Sequence, residues 1–120
     1  MIEGLVPYHL VAAATTNATV LVAGPGTLGS VVVSSVNAAA RYLKFYNKAT
    51  TPAPATDTPA WVVPIPGNTA GAAFSASIPA GLRFTTGISF AIVTGIADTD
   101  NTAVAASEIV ISLGYAVGVP

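Results

Sequence analysis

The chain has 120 residues, no cysteine and a formal net charge of −1, and only 8% of its residues are charged, against about 25% in an ordinary soluble domain. Residues 1–120 therefore read as one domain with a single core. Disulfides, thiolate metal sites and thiol nucleophiles are excluded, and Arg41, Lys44, Lys48 and Arg83 are too few cations for a nucleic-acid surface.

From Gly4 to Ala40 the chain carries no Asp, Glu, Lys or Arg. A membrane span needs about 20 mostly apolar residues. This stretch is interrupted by Pro7, by Thr15-Thr16-Asn17 and by Gly24-Pro25-Gly26, so no span is expected. A signal peptide would need a basic start, whereas Glu3 is the early charge. The Asn17-Ala18-Thr19 sequon carries no weight without a secretory signal.

In chain order, runs rich in Val, Ile, Thr and aromatic residues alternate with turn chemistry. The predicted strands are Tyr8–Ala14, Thr19–Ala23, Val31–Val36, Tyr42–Asn47, Trp61–Ile65, Phe74–Ile78, Ile88–Thr94 and Ile109–Ala116. Later runs alternate clearly. Ile88, Phe90 and Ile92 share a face opposite Ser89 and Ala91. Ile109, Ile111, Leu113 and Tyr115 share another, and Phe74, Ala76 and Ile78 face away from Ser75 and Ser77. One buried face per strand is expected.

Gly24-Pro25-Gly26, Pro79-Ala80-Gly81 and Thr85-Thr86-Gly87 read as turns. The segment Lys48–Pro59, with Pro52, Pro54 and Pro59, reads as an extended, semi-rigid loop projecting from the sheet. Val36–Arg41 and Thr102–Glu108 are too short for stable helices. The fold class is all-β: one antiparallel β-sandwich of about eight strands, of jelly-roll or Greek-key type.

No catalytic, cofactor or metal residues are assigned. His9 stands in the first strand without a nucleophile-elbow pattern elsewhere and reads as structural. Asp98-Thr99-Asp100-Asn101 opens like a calcium loop. It lacks the loop glycine and closing glutamate, so it reads as a turn. Gly24–Gly29 has close glycines but no lysine and no following helix pattern, against a phosphate loop.

In Arg41–Asn47, Leu43 and Phe45 share one face, and Tyr42, Lys44 and Tyr46 share the other. With the first face in the core, the second either projects as an anchor surface or lies beneath a loop or second sheet. Trp61 reads as a core plug. With the proline loop, this gives a candidate assembly surface of Tyr42, Lys44, Tyr46, Thr51, Pro52, Pro54 and Asp57. So little charge suits a protein held against neighbours, or a neutral surface of solvated Thr and Ser.

Four segments carry a resemblance: Lys48-Ala49-Thr50 ending a strand, Thr56-Asp57-Thr58-Pro59 in a loop, Ile65-Pro66 closing a strand, and the Gly81–Ile88 hairpin. With the turn at Ala97–Asp100, the spans Arg41–Gly67 and Gly81–Gly95 resemble small virion proteins of tailed bacteriophages. The resemblance covers about half the chain and leaves residues 1–40 outside it. It implies a non-enzymatic head decoration (cement) protein, without cofactor, made in the host bacterial cytoplasm and placed on the capsid surface. Its implied partners are the major capsid protein and copies of itself, as dimer or trimer. A neck, tail or fibre role, or a carbohydrate-binding sandwich using Tyr42, Tyr46 and Trp61, is the alternative.

Overall fold

The computed structural model describes residues 4–67 and 72–118, and for residues 72–80 the backbone alone. The expected facing of Phe74, Ala76 and Ile78 therefore lies outside the described residues. The chain forms β1 (Val6–Val11), β2 (Thr19–Val22), β3 (Gly26–Ser35), β4 (Arg41–Asn47), β5 (Trp61–Ile65), β6 (Ala72–Phe84), β7 (Ile88–Val93) and β8 (Ile109–Val117).

These strands make two four-stranded sheets, β1-β8-β3-β6 and β2-β7-β4-β5, with every pairing antiparallel. The pairs β1·β8, β2·β7, β3·β6 and β4·β5 are nested, as in one long hairpin rolled into two layers. That is the order of a jelly roll. Neither short helical candidate forms a helix.

The core lies between the sheets because period-two alternation turns apolar side chains inward. One sheet supplies Leu28, Val31, Val33, Phe84, Ile109, Ile111 and Leu113, and the other Leu43, Phe45, Val63, Ile65, Ile88, Phe90 and Ile92. Phe45 lies 5.7 Å from Trp61 and 6.3 Å from both Phe84 and Phe90. Tyr8 meets Phe90 edge-on at 5.8 Å. Trp61 plugs the core edge, as its sequence context suggests.

Of the turns read from sequence, Gly24-Pro25 is a bend that ends where β3 begins, whereas Pro79-Ala80-Gly81 lies within a strand. β3 starts at Gly26 and runs through Gly-Thr-Leu-Gly, well before Val31. β6 continues through Pro79-Ala80-Gly81, where the register jumps from Leu28↔Leu82 to Ser30↔Ser77. The extra residues form an irregular bulge, and Gly81 takes φ +77 there, a conformation L side chains rarely adopt. Because β6 is an edge strand, Pro79 can sit in it without breaking a ladder on both sides.

A third departure concerns burial. All six residues of β7 are buried, including Ser89, Ala91 and Val93. The centre of the second sheet, at β7, is covered on both faces, not on one as alternation implied.

Candidate functional site

Cross-strand register fixes the outer face of the second sheet. On β4 it carries Tyr42, Lys44 and Tyr46, beside Val93, Ala91 and Ser89 of β7 and, next to Tyr42 and Lys44, Pro64 and Val62 of β5. Lys44 is fully buried and Tyr46 is 1% exposed, while Tyr42 is half-buried. Two connections reach this face: Lys44 Nζ bonds the Ala97 carbonyl of residues 94–108, and the carboxylates of Asp57, in residues 48–60, and of Asp98 lie near enough to act on the Tyr46 hydroxyl.

The 48–60 loop is folded back, not projecting. Pro52 and Pro54 are buried, Asp57 is partly buried, and Thr51 is exposed. Asp57 organises the loop: its Oδ2 accepts from the Ala53 amide at 2.7 Å and from Lys48 Nζ at 2.7 Å. The Thr56 and Asp57 amides both donate to the Ala53 carbonyl, at 3.0 and 2.8 Å. The Ala53 hydrogen bond, then the Lys48 ammonium, holds the Asp57 carboxyl below its ordinary range.

The 94–108 loop is pinned from beneath. Lys44 Nζ donates to the Ala97 carbonyl, and burial pulls the Lys44 pKa down, against the opposing charges of Asp100 and Asp98. Asp100 is spent on the turn itself. Its carboxylate accepts from the Gly95 amide at 2.6 Å and from Thr102 Oγ1 at 2.9 Å. The calcium-like opening is thus folded as a turn over a resident ammonium group. Among the described residues no group of three or more His, Cys, Asp or Glu side chains is arranged to hold a metal ion.

The Tyr46 hydroxyl is buried and has no hydrogen-bond partner among the described residues. Burial, aided by the negative charges of Asp57 and Asp98, pushes its pKa from 10.0 up to about 12. A buried hydroxyl that has given up water without a replacement costs about 1–3 kcal/mol. Tyr46→Phe is therefore expected to stabilise the chain by about 1 kcal/mol. The sign with pH is also fixed. A raised folded-state pKa gives a contribution complete below 10.0 and lost as pH climbs toward about 12. Denaturant titrations at neutral and alkaline pH should show a smaller alkaline loss in the phenylalanine variant; a destabilised variant would mean that the hydroxyl has a partner.

Of the seven candidate surface residues, four are buried, Tyr42 and Asp57 are half-covered, and Thr51 stands free. The structure gathers them into the molecule's own packing. The sugar-platform geometry does not form either: Tyr42 and Tyr46 lie on the outer face, whereas Trp61 pairs with Phe45 on the inner one.

His9 lies across from Ser112 on the first sheet, with Nδ1 3.3 Å from Ser112 Oγ. It belongs to a face that residue-by-residue reading overlooked. The outer side of β1-β8-β3 carries His9, Val11, Ser30, Val32, Ser34, Val110, Ser112 and Gly114, opposite inward Leu10, Val31, Val33 and Ile111. Val11 and Val32 are 48% and 46% exposed. The signal was present in sequence: β1 and β3 both fall inside the charge-free Gly4–Ala40 stretch, and β8 is uncharged too.

Compared with protein families, curated proteins and solved structures, the chain matches none. The likeness to phage virion proteins rests on its sequence motifs alone.

Proposed function

We propose that this jelly roll is a non-enzymatic structural module of a tailed-phage particle, a decoration (cement) protein that binds and stabilises the shell of the major capsid protein. The observation carrying this reading is where the few charges go. Arg41 pairs with Glu108 at 2.8 Å, Lys48 pairs with Asp57 at 2.7 Å, and Lys44 is buried under Ala97. Three of the four Lys and Arg side chains thus serve the fold, leaving little ionic surface to hold water or to track phosphates. Valine and serine on an open sheet face shed water at low cost, which favours lasting contact with protein. Jelly rolls occur in viral capsid domains, which supports the reading by analogy, although lectins and cupins share the fold.

On this reading each contact with the shell is of ordinary specific size, about 1,200–2,000 Å². Repetition over many sites supplies avidity. Purified chain added to undecorated shells should co-sediment with them and raise the temperature at which they open. Mass spectrometry of purified particles should find it in a fixed ratio to the major shell protein. Its presence in infected-cell lysate together with absence from purified particles would refute the proposal.

A further inference from the structure

We infer that the outer face of the β1-β8-β3-β6 sheet is the docking surface for a second copy of this chain, two such sheets packing face to face about a two-fold axis. The inference rests on the reading of the chain as an assembly module and names the surface used for self-association.

The two sheets treat their outer faces differently. The second sheet is reached by residues 48–60 and 94–108, and its Lys44 and Tyr46 are buried. Over the first sheet, Leu5 crosses the face beside Gly29 and Gly114. An added Cβ at Gly29 would lie 2.7 Å from Leu5 Cδ1, and one at Gly114 would lie 2.9 Å from it. Leu5 itself remains 45% exposed, so with Val11 and Val32 it adds apolar surface to the face. Along β1, β3 and β8 there is no Asp, Glu, Lys or Arg, and β6 adds Arg83 near its end. Bare antiparallel faces in water are ordinarily polar.

The free edge beside this face is blunted. The Ala12 amide donates to the Ile109 carbonyl at 2.9 Å. By alternation, Leu10 and Tyr8 also turn their backbone groups toward β8, and Pro7, His9 and Val11 present theirs outward. Pro7 has no N–H to offer a newcomer, so growth of a continuous sheet across β1 is discouraged. At β1, contact through the face is thereby favoured over contact through the edge.

A second copy is the fitting occupant for two reasons. An isologous contact sets each patch against itself, and because Arg83, at the far end of β6, is the one fixed charge among these four strands, the centre of the face sets no like charges together. The size also suits. Four strands of up to about 33 Å, spaced by about 4.8 Å, give a footprint of roughly 600 Å² in projection. Side-chain relief brings the accessible area toward the roughly 800 Å² per partner of a specific interface.

Sedimentation of the isolated full chain across micromolar to millimolar concentrations tests this. The wild type should approach twice the mass of one chain. Val32→Lys sets two ammonium groups near the centre of the contact, where like charges meet, and should weaken association by at least roughly a hundredfold. Ser34→Lys, one alternation along β3, should do the same if Val32→Lys fails to fold. Ala103→Lys, on the loop over the other sheet, should leave the dimer intact. A wild type monomeric throughout, a dimer indifferent to both β3 variants, or a trimer, whose three-fold axis cannot set one face against itself, would overturn the inference. Shell binding by the same proteins separates the two ideas. A monomeric wild type that still decorates shells sinks only the self-contact; a dimer sensitive to Val32→Lys that ignores shells sinks only the decoration role.

Discussion

Glu108→Ala is expected to cost about 3–5 kcal/mol of folding stability, the range for removing one partner of a buried ion pair. The side chain is 7% exposed and stands just before β8. Its Oε2 accepts from Arg41 Nε at 2.8 Å, and its Oε1 accepts from Asn37 Nδ2 at 2.6 Å. Its own carbonyl accepts the Val36 amide at 3.0 Å. One residue thus joins the exit of β3, the entrance of β4 and the approach to β8, and β4 lies in the opposite sheet. Alanine would strand the Arg41 guanidinium, 16% exposed, beside an unpaired Asn37 amide. Burial alone would raise the Glu108 pKa, but hydrogen bonds from Arg41, Asn37 and the Ala105 amide, with the Arg41 charge, hold it below 4.5. Because the folded-state value is depressed, this contribution is complete above 4.5 and disappears as pH falls through the lower value. Glu108→Gln should therefore flatten the acid limb of the stability curve, leaving the shallower slope of the partly exposed Asp57. Denaturant titration across acid pH checks both variants. A loss within the roughly 1 kcal/mol of a surface pair, or an unchanged acid limb in Glu108→Gln, would contradict this account.

The internal use of charge explains how a neutral surface coexists with a well-specified fold. Buried ionic contacts discriminate between registers because a mispaired charge is expensive, whereas valine against valine is forgiving. Arg41–Glu108 ties the two layers together, and Lys44 fixes the 94–108 loop to β4. Specificity is thereby concentrated in a few polar contacts, and the outer face of the first sheet is left free of them.

Local sequence carries the strands well. Ile109, Ile111 and Leu113 alternate with less buried Val110 and Ser112 as their spacing implies, and Leu43 and Phe45 face the core. What it cannot carry is long-range pairing. β1 pairs with β8 across nearly the whole chain, and nothing within Val6–Val11 names that partner. The same limit hides the fate of Lys44. Alternation places it opposite Phe45, but its burial depends on Ala97, 53 residues away. Glycine and proline mislead for a different reason. Pro79–Gly81 looks like a turn, yet it makes a bulge in an edge strand, which tolerates such residues, and β3 already begins at Gly26, the last residue of the Gly24–Gly26 turn. The charge-free stretch was visible from the start. Its meaning as one continuous face needed the β1-β8-β3 order.

Excising the 48–60 loop separates a roof from a tether. Replacing residues 49–59 with a short Gly-Ser turn is sterically reasonable, because Phe45 and Trp61 are already paired and the Ala60 amide donates to the Phe45 carbonyl at 2.7 Å. The excision removes Pro52 and Pro54 from their buried positions and strips cover from Tyr46. A tyrosine buries about 150–250 Å². At about 25 cal/mol per Å², re-exposing most of that side chain, with the two prolines, costs about 3–5 kcal/mol. Lys48 would also lose Asp57, but that partly exposed pair adds little. The loop variant should consequently melt well below the wild type, and Tyr46→Phe should no longer stabilise it, because the hydroxyl would be back in water. A loop variant as stable as the parent would mean that residues 48–60 only rest on the sheet and are free to serve a partner.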